Sequence, residues 1–463
     1  ASPSALPLAV RTGTRPGRSP MWAATEREAD EVFLFVNPNS GGHVGEVFLR
    51  VPQPFTVHLD GEDSDSDNES REVSLRIFNL LEAKGSSQAR ETGFRTLREV
   101  AAKGVVRVIA GGGDGTVMWV VSEAERHGID PRTQLRIGIV PLGTGNDFSQ
   151  ALGWGGHNPD KDALLAKGCQ ELRYMVREWC AATPALHDVW CMRMQVDEDK
   201  GTIYQKEDAL VDEDGSLRRS VVTPMLLYAG VAKDAELAYK VEIHRTKSQF
   251  CNKLVYAWQG ICVSMHWFCC KSQRVRRVIS GLYSGTSSED EPIFEYGAEH
   301  EHSEAPTLLT NPEMLLFLNI DSFAGGEARR LWQTSFRLGV DRPLDQGLLE
   351  CSQDCGDKRL EVLTLRRLLR AVMPTNRLLG GRRVFQGAPL HLTFRQKPKM
   401  TTYCQVDGES YKLRNPKSLT IEHKQQIVVL YREAGKPGAS WFTIKGLCGG
   451  GLSDEADSDG SEF

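Results

Sequence analysis

The chain has 463 residues, 40% of them hydrophobic and 25% charged, and a net charge of −5. That is the make-up of a water-soluble globular protein of roughly two or three domains. Its eleven scattered cysteines, without a pair of CxxC motifs, exclude a disulfide framework and a structural zinc site, and suit free thiols in a reducing compartment.

The charge is unevenly spread. Acidic runs at Asp60–Glu72 and Leu452–Phe463 hold more than the whole net negative charge, so the remaining body is mildly basic. A basic body suits a polyanionic ligand or an anionic membrane surface. No secretory signal is evident, and the chain starts at Ala1 rather than Met, so residues upstream are expected. The longest uncharged run, Leu254–Cys270, includes Gln259, Gly260, Ser264 and His266, and reads as a buried helix rather than a membrane span.

Residues 1–28 are rich in Pro, Ser, Thr, Gly and Arg and read as disordered. Val32–Val36 (VFLFV) reads as a strand covered on both faces, ending in the small-residue turn Asn37–Gly42. Asp60–Ser70 reads as a solvated acidic loop, open to phosphorylation. Val73–Leu81 and Thr92–Ala102 read as helices. Val105–Val121 (VVRVIAGGGDGTVMWVV) then gives a buried strand, a glycine turn and the start of a helix spanning Thr116–Glu125. Successive amides at a helix start form a site for anionic phosphate. A further strand, Leu135–Leu142, runs into Gly143–Asp147 (GTGND). In a parallel sheet these three turns share one edge, and open α/β sheets bind ligands at that carboxyl edge.

From about Leu186 the pattern turns to strands: Met225–Tyr228, Met314–Ile320, Leu360–Leu365, Leu390–Phe394 and Ile427–Tyr431. Asp197–Arg219 and Ser284–Pro306 read as surface insertions. The expected organisation is a disordered segment 1–28, an α/β domain 29–185, a β-rich domain 186–445 with those insertions, and an acidic disordered tail 446–463. Neither a Walker A motif nor the HRD and DFG set of protein kinases is present.

The chain closely resembles the eukaryotic diacylglycerol kinases over about residues 30–430. FVNPNSGG, GGGDGT and PLGTGNDF…LGWGG follow in that family's order, then YAGVAKDAELA, NKLVYAWQG, FLNIDSFAGG and QVDGE. The resemblance implies a catalytic domain with a three-layer, mostly parallel α/β sheet like that of NAD kinases. It implies, after that, a β-rich accessory domain, sandwich- or barrel-like. It also implies ATP and Mg²⁺ use and phosphorylation of diacylglycerol to phosphatidic acid. A cytoplasmic enzyme bound peripherally to a membrane is expected, with no transmembrane segment and no nucleic-acid partner. A sphingosine- or ceramide-type lipid kinase and an inactive lipid-binding scaffold are the alternatives. The family's C1-type zinc module is expected, if at all, upstream of Ala1.

By the same resemblance Gly112, Gly113, Gly115 and Thr116 cradle the phosphates, Asn37, Ser40 and Gly41 touch the nucleotide, and Thr144, Gly145 and Asn146 close the third side. Asp114 is placed against the phosphates or their Mg²⁺, and Asp234 near the lipid head group. Asp407 and Glu409 flank one glycine and can point to one side, a common arrangement for proton abstraction. The resemblance makes them a base and its relay, in either order. Two positions depart from the pattern: Asn39 stands where many relatives have lysine, and Gln346 where an aspartate is expected. Asp345 is thus left as a doubtful ligand of a structural Mg²⁺. Arg366–Lys399 carries nine basic residues and no acid, a candidate contact for anionic phospholipid; Trp258, Trp267 and Phe268 could dip into lipid or belong to a core.

Overall fold

Val32–Val36 is wholly buried, as a strand sandwiched on both faces must be. In the computed structural model this run forms the middle of the first half. The described residues are 28–59, 71–81, 88–244, 273–297, 306–323, 328–329, 331–335, 346–366 and 381–432. The first half contains β1 (Glu28–Val36), α1 (Val44–Phe48), β2 (Phe55–His58), β3 (Glu72–Asn79), α2 (Arg90–Ala101), β4 (Val105–Gly112), α3 (Asp114–Arg126), β5 (Leu135–Pro141), α4 (Asp147–Ala151), α5 (Lys161–Leu165) and α6 (Gln170–Ala181). Strands β3, β1, β4 and β5 are parallel neighbours, and β2 adds an antiparallel edge. Helix α2 seats Phe94 on Phe35 with ring centroids 4.1 Å apart.

The second half contains β6 (Thr183–Val196), β7 (Thr202–Gln205), β8 (Asp208–Ala209), β9 (Ser220–Met225), β10 (Tyr228–Ala232), α7 (Lys233–Ile243), α8 (Val275–Val278), β11 (Ile279–Ser284), β12 (Glu291–Glu295), β13 (Met314–Leu318), β14 (Ser322–Phe323), β15 (Ala328–Arg329), α9 (Leu331–Ser335), β16 (Leu360–Leu365), β17 (Gly381–Gly387), β18 (Leu390–Phe394), β19 (Thr401–Val406), β20 (Glu409–Arg414) and β21 (Pro416–Tyr431). One antiparallel sheet has the order β17-β16-β13-β10-β19-β20-β7-β8. β14 and β15 pair only with each other, and the remaining strands join the first sheet, because β21 lies parallel to β5 at Val429 and Ile137 while pairing antiparallel with β6 along its length. The fold is thus a mixed α/β first half with a parallel-rich sheet, followed by a β-rich antiparallel region.

Four readings change. Val73–Leu81 is not a helix: Val73, Leu75 and Ile77 alternate into the core, and the segment is strand β3, in parallel register with β1. Met225–Tyr228 is not one strand; Leu226 and Leu227 form a bend between β9 and β10. Within Asp197–Arg219, β7 pairs with β20 and buries Ile203, so that stretch is partly built into a sheet. Within Ser284–Pro306, β12 pairs with β11 and buries Ile293 and Phe294.

Among the described residues no helix is long and apolar enough to cross a membrane. The run Leu254–Cys270 with Trp258, Trp267 and Phe268, the Asp60–Ser70 loop, Asp345, both terminal segments and residues 367–380 of the basic stretch lie outside the described residues.

Candidate active site

Three adjacent parallel strands, β1, β4 and β5, release their turns at one sheet edge. Backbone hydrogen bonds tie the turns together: Asn37 N donates to Gly111 O, and Leu142 N to Gly112 O, both at 2.9 Å. The second and third turns meet at Gly113 and Gly143, where a Cβ on Gly113 would lie 3.2 Å from the Gly143 Cα. Gly115, in the first turn of α3, has open space where its Cβ would be, and is exposed. The edge therefore presents the first turn of a 13-residue helix, α3, with Gly115 exposed on it.

Asp114 is the first residue of that helix. Its carboxylate accepts hydrogen bonds from Asp147 N (3.2 Å) and Phe148 N (3.0 Å), capping α4 from a neighbouring turn. Burial, and then the charge of Asp147, push Asp114 up to about 7. Asp147 is buried and accepts the Tyr228 hydroxyl proton at 3.0 Å, a contact between the two halves of the chain.

Asp407 approaches from the second half. Asp407 and Gly408, with φ of 49° and 86°, make the two-residue turn joining β19 to β20. Positive φ at both positions is the hairpin geometry that Asp-Gly favours. The Asp407 carboxylate accepts from three consecutive amides: Leu226 at 2.6 Å, Leu227 at 2.9 Å and Tyr228 at 3.0 Å. Those amides favour the anion, but burial outweighs them and pushes Asp407 up to about 7. Asp114 and Asp407 are close enough to repel each other, so acids from α3, α4 and the β19–β20 turn converge. Among the described residues no set of three or more His, Cys, Asp or Glu is arranged to hold a metal ion by itself. Magnesium held jointly by one or two carboxylates and substrate phosphates needs no such set, and the oxygen donors here suit it.

This arrangement coincides with two sequence signatures. The model of the diacylglycerol kinase catalytic domain matches residues 31–175, and that of the diacylglycerol kinase accessory domain matches residues 224–410. The chain belongs to the diacylglycerol kinase family. It is 25% identical to diacylglycerol kinase 2 of Arabidopsis thaliana, over 89% of this chain and 47% of that protein. It is also 25% identical to diacylglycerol kinase 3 of the same plant, over 82% and 76% respectively. Probable diacylglycerol kinase 3 of Caenorhabditis elegans is 23% identical over 89% of the chain and 45% of its own length. The chain thus spans about half the length of the first and third of these kinases and about three quarters of the second.

Within this kinase fold several candidate residues are committed to the turns themselves. Asn146 is buried in a left-handed conformation, and its amide bonds Gly143 N and O and Gly156 O. Its side chain shapes the third turn. The Asn37 side chain accepts from Asn39 N, Ser40 N donates to Asn37 O, and Gly41 has a positive φ of 66°. The Thr116 side chain folds over Gly112, where a Cβ would meet its hydroxyl at 2.1 Å. Thr144 is exposed, and Gly145 O accepts from Gln150. Glu409 is exposed and accepts from the Tyr411 hydroxyl. Residues the sequence reading passed over are Asp147, the last letter of GTGND, and Tyr228, the first of YAGVAKDAELA. Both were visible as motif letters, but nothing in the sequence says that they touch.

Asp234 lies 5% exposed in the first turn of α7, above Gly230, with the Ala235 amide and the Gln405 side chain beside its carboxylate. Burial pushes it up to about 7. An acid whose pKa is raised on folding destabilises the fold once it must ionise. Its cost is absent below pH ~4 and complete above pH ~7. Asp234→Asn is therefore expected to stabilise the protein at pH 8 by up to a few kcal/mol. The gain should vanish near pH 4; melting curves of the two proteins at both pH values check this, and an equal difference at each would contradict it.

Proposed function

We propose that the chain transfers the γ-phosphate of ATP to the free hydroxyl of 1,2-diacylglycerol, giving phosphatidic acid. The observation that carries this reading is the half-buried Asp407, held by the Leu226–Tyr228 amides and near enough to Asp114 at the edge of the three small-residue turns to raise it. Phosphoryl transfer asks a protein mainly for positioning and charge stabilisation. In this reading the open amides of α3 and the turns around Gly112–Thr116 hold the phosphates, with Asn37–Gly41 and Thr144–Asn146 forming the walls. Asp114 and Asp147 would hold Mg²⁺ against them, where the ion neutralises charge on the transferred group. The lipid hydroxyl oxygen bonds to the γ-phosphorus, the bond from that phosphorus to the β-bridging oxygen breaks, and ADP leaves. The hydroxyl proton passes to Asp407, the better-placed base because Glu409 points to solvent. Asp234, behind Gln405, lies beside the space for the lipid head group.

The finer architecture we read is the family's three-layer catalytic sheet with an accessory β-sandwich, in a cytoplasmic enzyme resting on a membrane. Arg395, Lys397 and Lys399 from the basic stretch, with Arg276 and Arg277 of α8, supply the surface for anionic phospholipid; the Arg395 guanidinium bonds Arg276 O and joins the two groups. Arg383 drops out of that surface. It is buried, bonds the carbonyls of Trp332, Leu348, Leu349 and Cys351, and lies 4.2 Å from the Trp332 ring centroid.

Labelled ATP offered with mixed micelles of candidate lipids tests the assignment. Label in phosphatidic acid supports it, whereas label in a sphingoid product, or in none, overturns it. The Asp407 assignment also fixes the pH profile. Its base form prevails above pH ~7, so kcat should be level there and fall about tenfold per pH unit well below it. A rate independent of pH between 5 and 8 would remove Asp407 as the base.

A further inference from the structure

Asp407 can act only if the three amides that hold its carboxylate point at it, and those amides sit in an irregular bend, not in a strand ladder. A peptide unit is planar, with its C=O and N–H pointing opposite ways. Whatever fixes the Leu226 and Leu227 carbonyls therefore aims the Leu227 and Tyr228 N–H groups. Asn319, directly after β13 and 1% exposed, fixes both. Its side-chain Nδ2 donates to Leu226 O at 2.7 Å and its backbone N donates to Leu227 O at 2.9 Å.

The Asn319 amide is held in turn. Trp190 Nε1 donates to Oδ1 at 2.9 Å, and the second Nδ2 proton goes to Asp188 O at 2.8 Å. His187 Nε2 approaches Leu226 O at 2.9 Å. His187 Nε2 also lies 3.1 Å from Asn319 Nδ2; with both Nδ2 protons assigned to the Leu226 and Asp188 carbonyls, the His187 proton is assigned to Nε2, toward the second acceptor site of Leu226 O. Phe148 of α4 packs edge-on against the His187 ring, with centroids 5.2 Å apart. The same cluster thus touches the helix that Asp114 caps. Acceptance at a C=O also polarises its peptide and strengthens the opposite N–H as a donor.

We infer that Asn319 is a positioning residue for the phosphoryl-transfer step: seated by Trp190 and aided by His187, it aims the Leu227 and Tyr228 amides and so sets the place of the Asp407 carboxylate. This rests on Asp407 being the base. None of the three side chains touches substrate.

The substitution Asn319→Asp keeps the shape but turns an oxygen toward Leu226 O and Asp188 O. It should lower kcat about 100-fold, the cost of misplacing a reacting group by about 1 Å. The KM for ATP should stay within about threefold, since the phosphate turns are untouched. Combined with Asp407→Asn it should cost little more than Asp407→Asn alone, because both act through one group. A general packing role would instead raise KM and lower kcat together, or multiply the two losses; either outcome overturns the inference. Should Asn319→Asp not fold, Trp190→Phe removes the donor to Oδ1, keeps an aromatic ring, and is read in the same cycle with a loss of up to about tenfold. Should Asp407→Asn alone keep the full rate, the base assignment fails and the positioning role with it. A low rate for Asp407→Asn with multiplicative losses overturns only the positioning role.

Discussion

Asp407→Asn is expected to lower kcat about a thousandfold while leaving ATP affinity nearly unchanged. A positioned base contributes roughly 10²- to 10⁴-fold. The amide cannot take the lipid proton, and it also turns an NH₂ group toward amides that now meet a carboxylate. Steady-state rates on micellar diacylglycerol, with titration of a non-hydrolysable ATP analogue, separate the chemical step from binding. A rate within threefold of the parent would show that the proton goes elsewhere, with Glu409 the next residue to replace.

Gly115→Asp should do the reverse, destroying nucleotide binding and sparing the fold. Nothing lies within 4 Å of the added Cβ, so the side chain enters without a clash. An acid in the first turn of a helix ordinarily stabilises by 0.3–1 kcal/mol. Against a bound phosphate the same charge repels, with about 4 kcal/mol for unit charges at ~4 Å and an effective dielectric of 20. The KM for ATP should therefore rise about 10²- to 10³-fold with the melting temperature unchanged or higher, whereas Gly115→Ala should alter KM only a few-fold. At Gly113 the experiment would be ambiguous, because the new Cβ also presses on the Gly143 Cα. Unchanged ATP affinity in Gly115→Asp would move the phosphates away from the start of α3.

The three turns were legible because glycines and other small residues directly after a buried apolar run serve no packing purpose, and such turns stand out in any reading of the chain. The Asp407–Gly408–Glu409 segment was legible in type, but not its partner set. Asp407 is held by backbone amides, which leave no mark on the sequence, and they belong to a stretch whose apolar letters read as one strand. Val73–Leu81 was misread because Phe78, Leu80 and Leu81 break the two-residue alternation that Val73, Leu75 and Ile77 keep. Asn319 was hidden inside Met314–Ile320, which reads as one strand, although the strand ends at Leu318 and Asn319 follows it. The place of Asn146 in a glycine turn suggested a ligand contact, and its side chain closes that turn on itself.

The long strand β21 has a consequence for synthesis on the ribosome. Domains generally fold as units as the chain emerges, yet here β5 acquires its outer neighbour only when residues near Val429 appear. Until then the phosphate-binding half carries an unpaired strand margin, the kind of surface that recruits stray chains. The whole stretch from β5 to β21 must be made before that margin is sealed. The same late arrival brings Asp407 to Asp114, so a nascent chain gains its closed edge and its full set of site acids at almost the same moment.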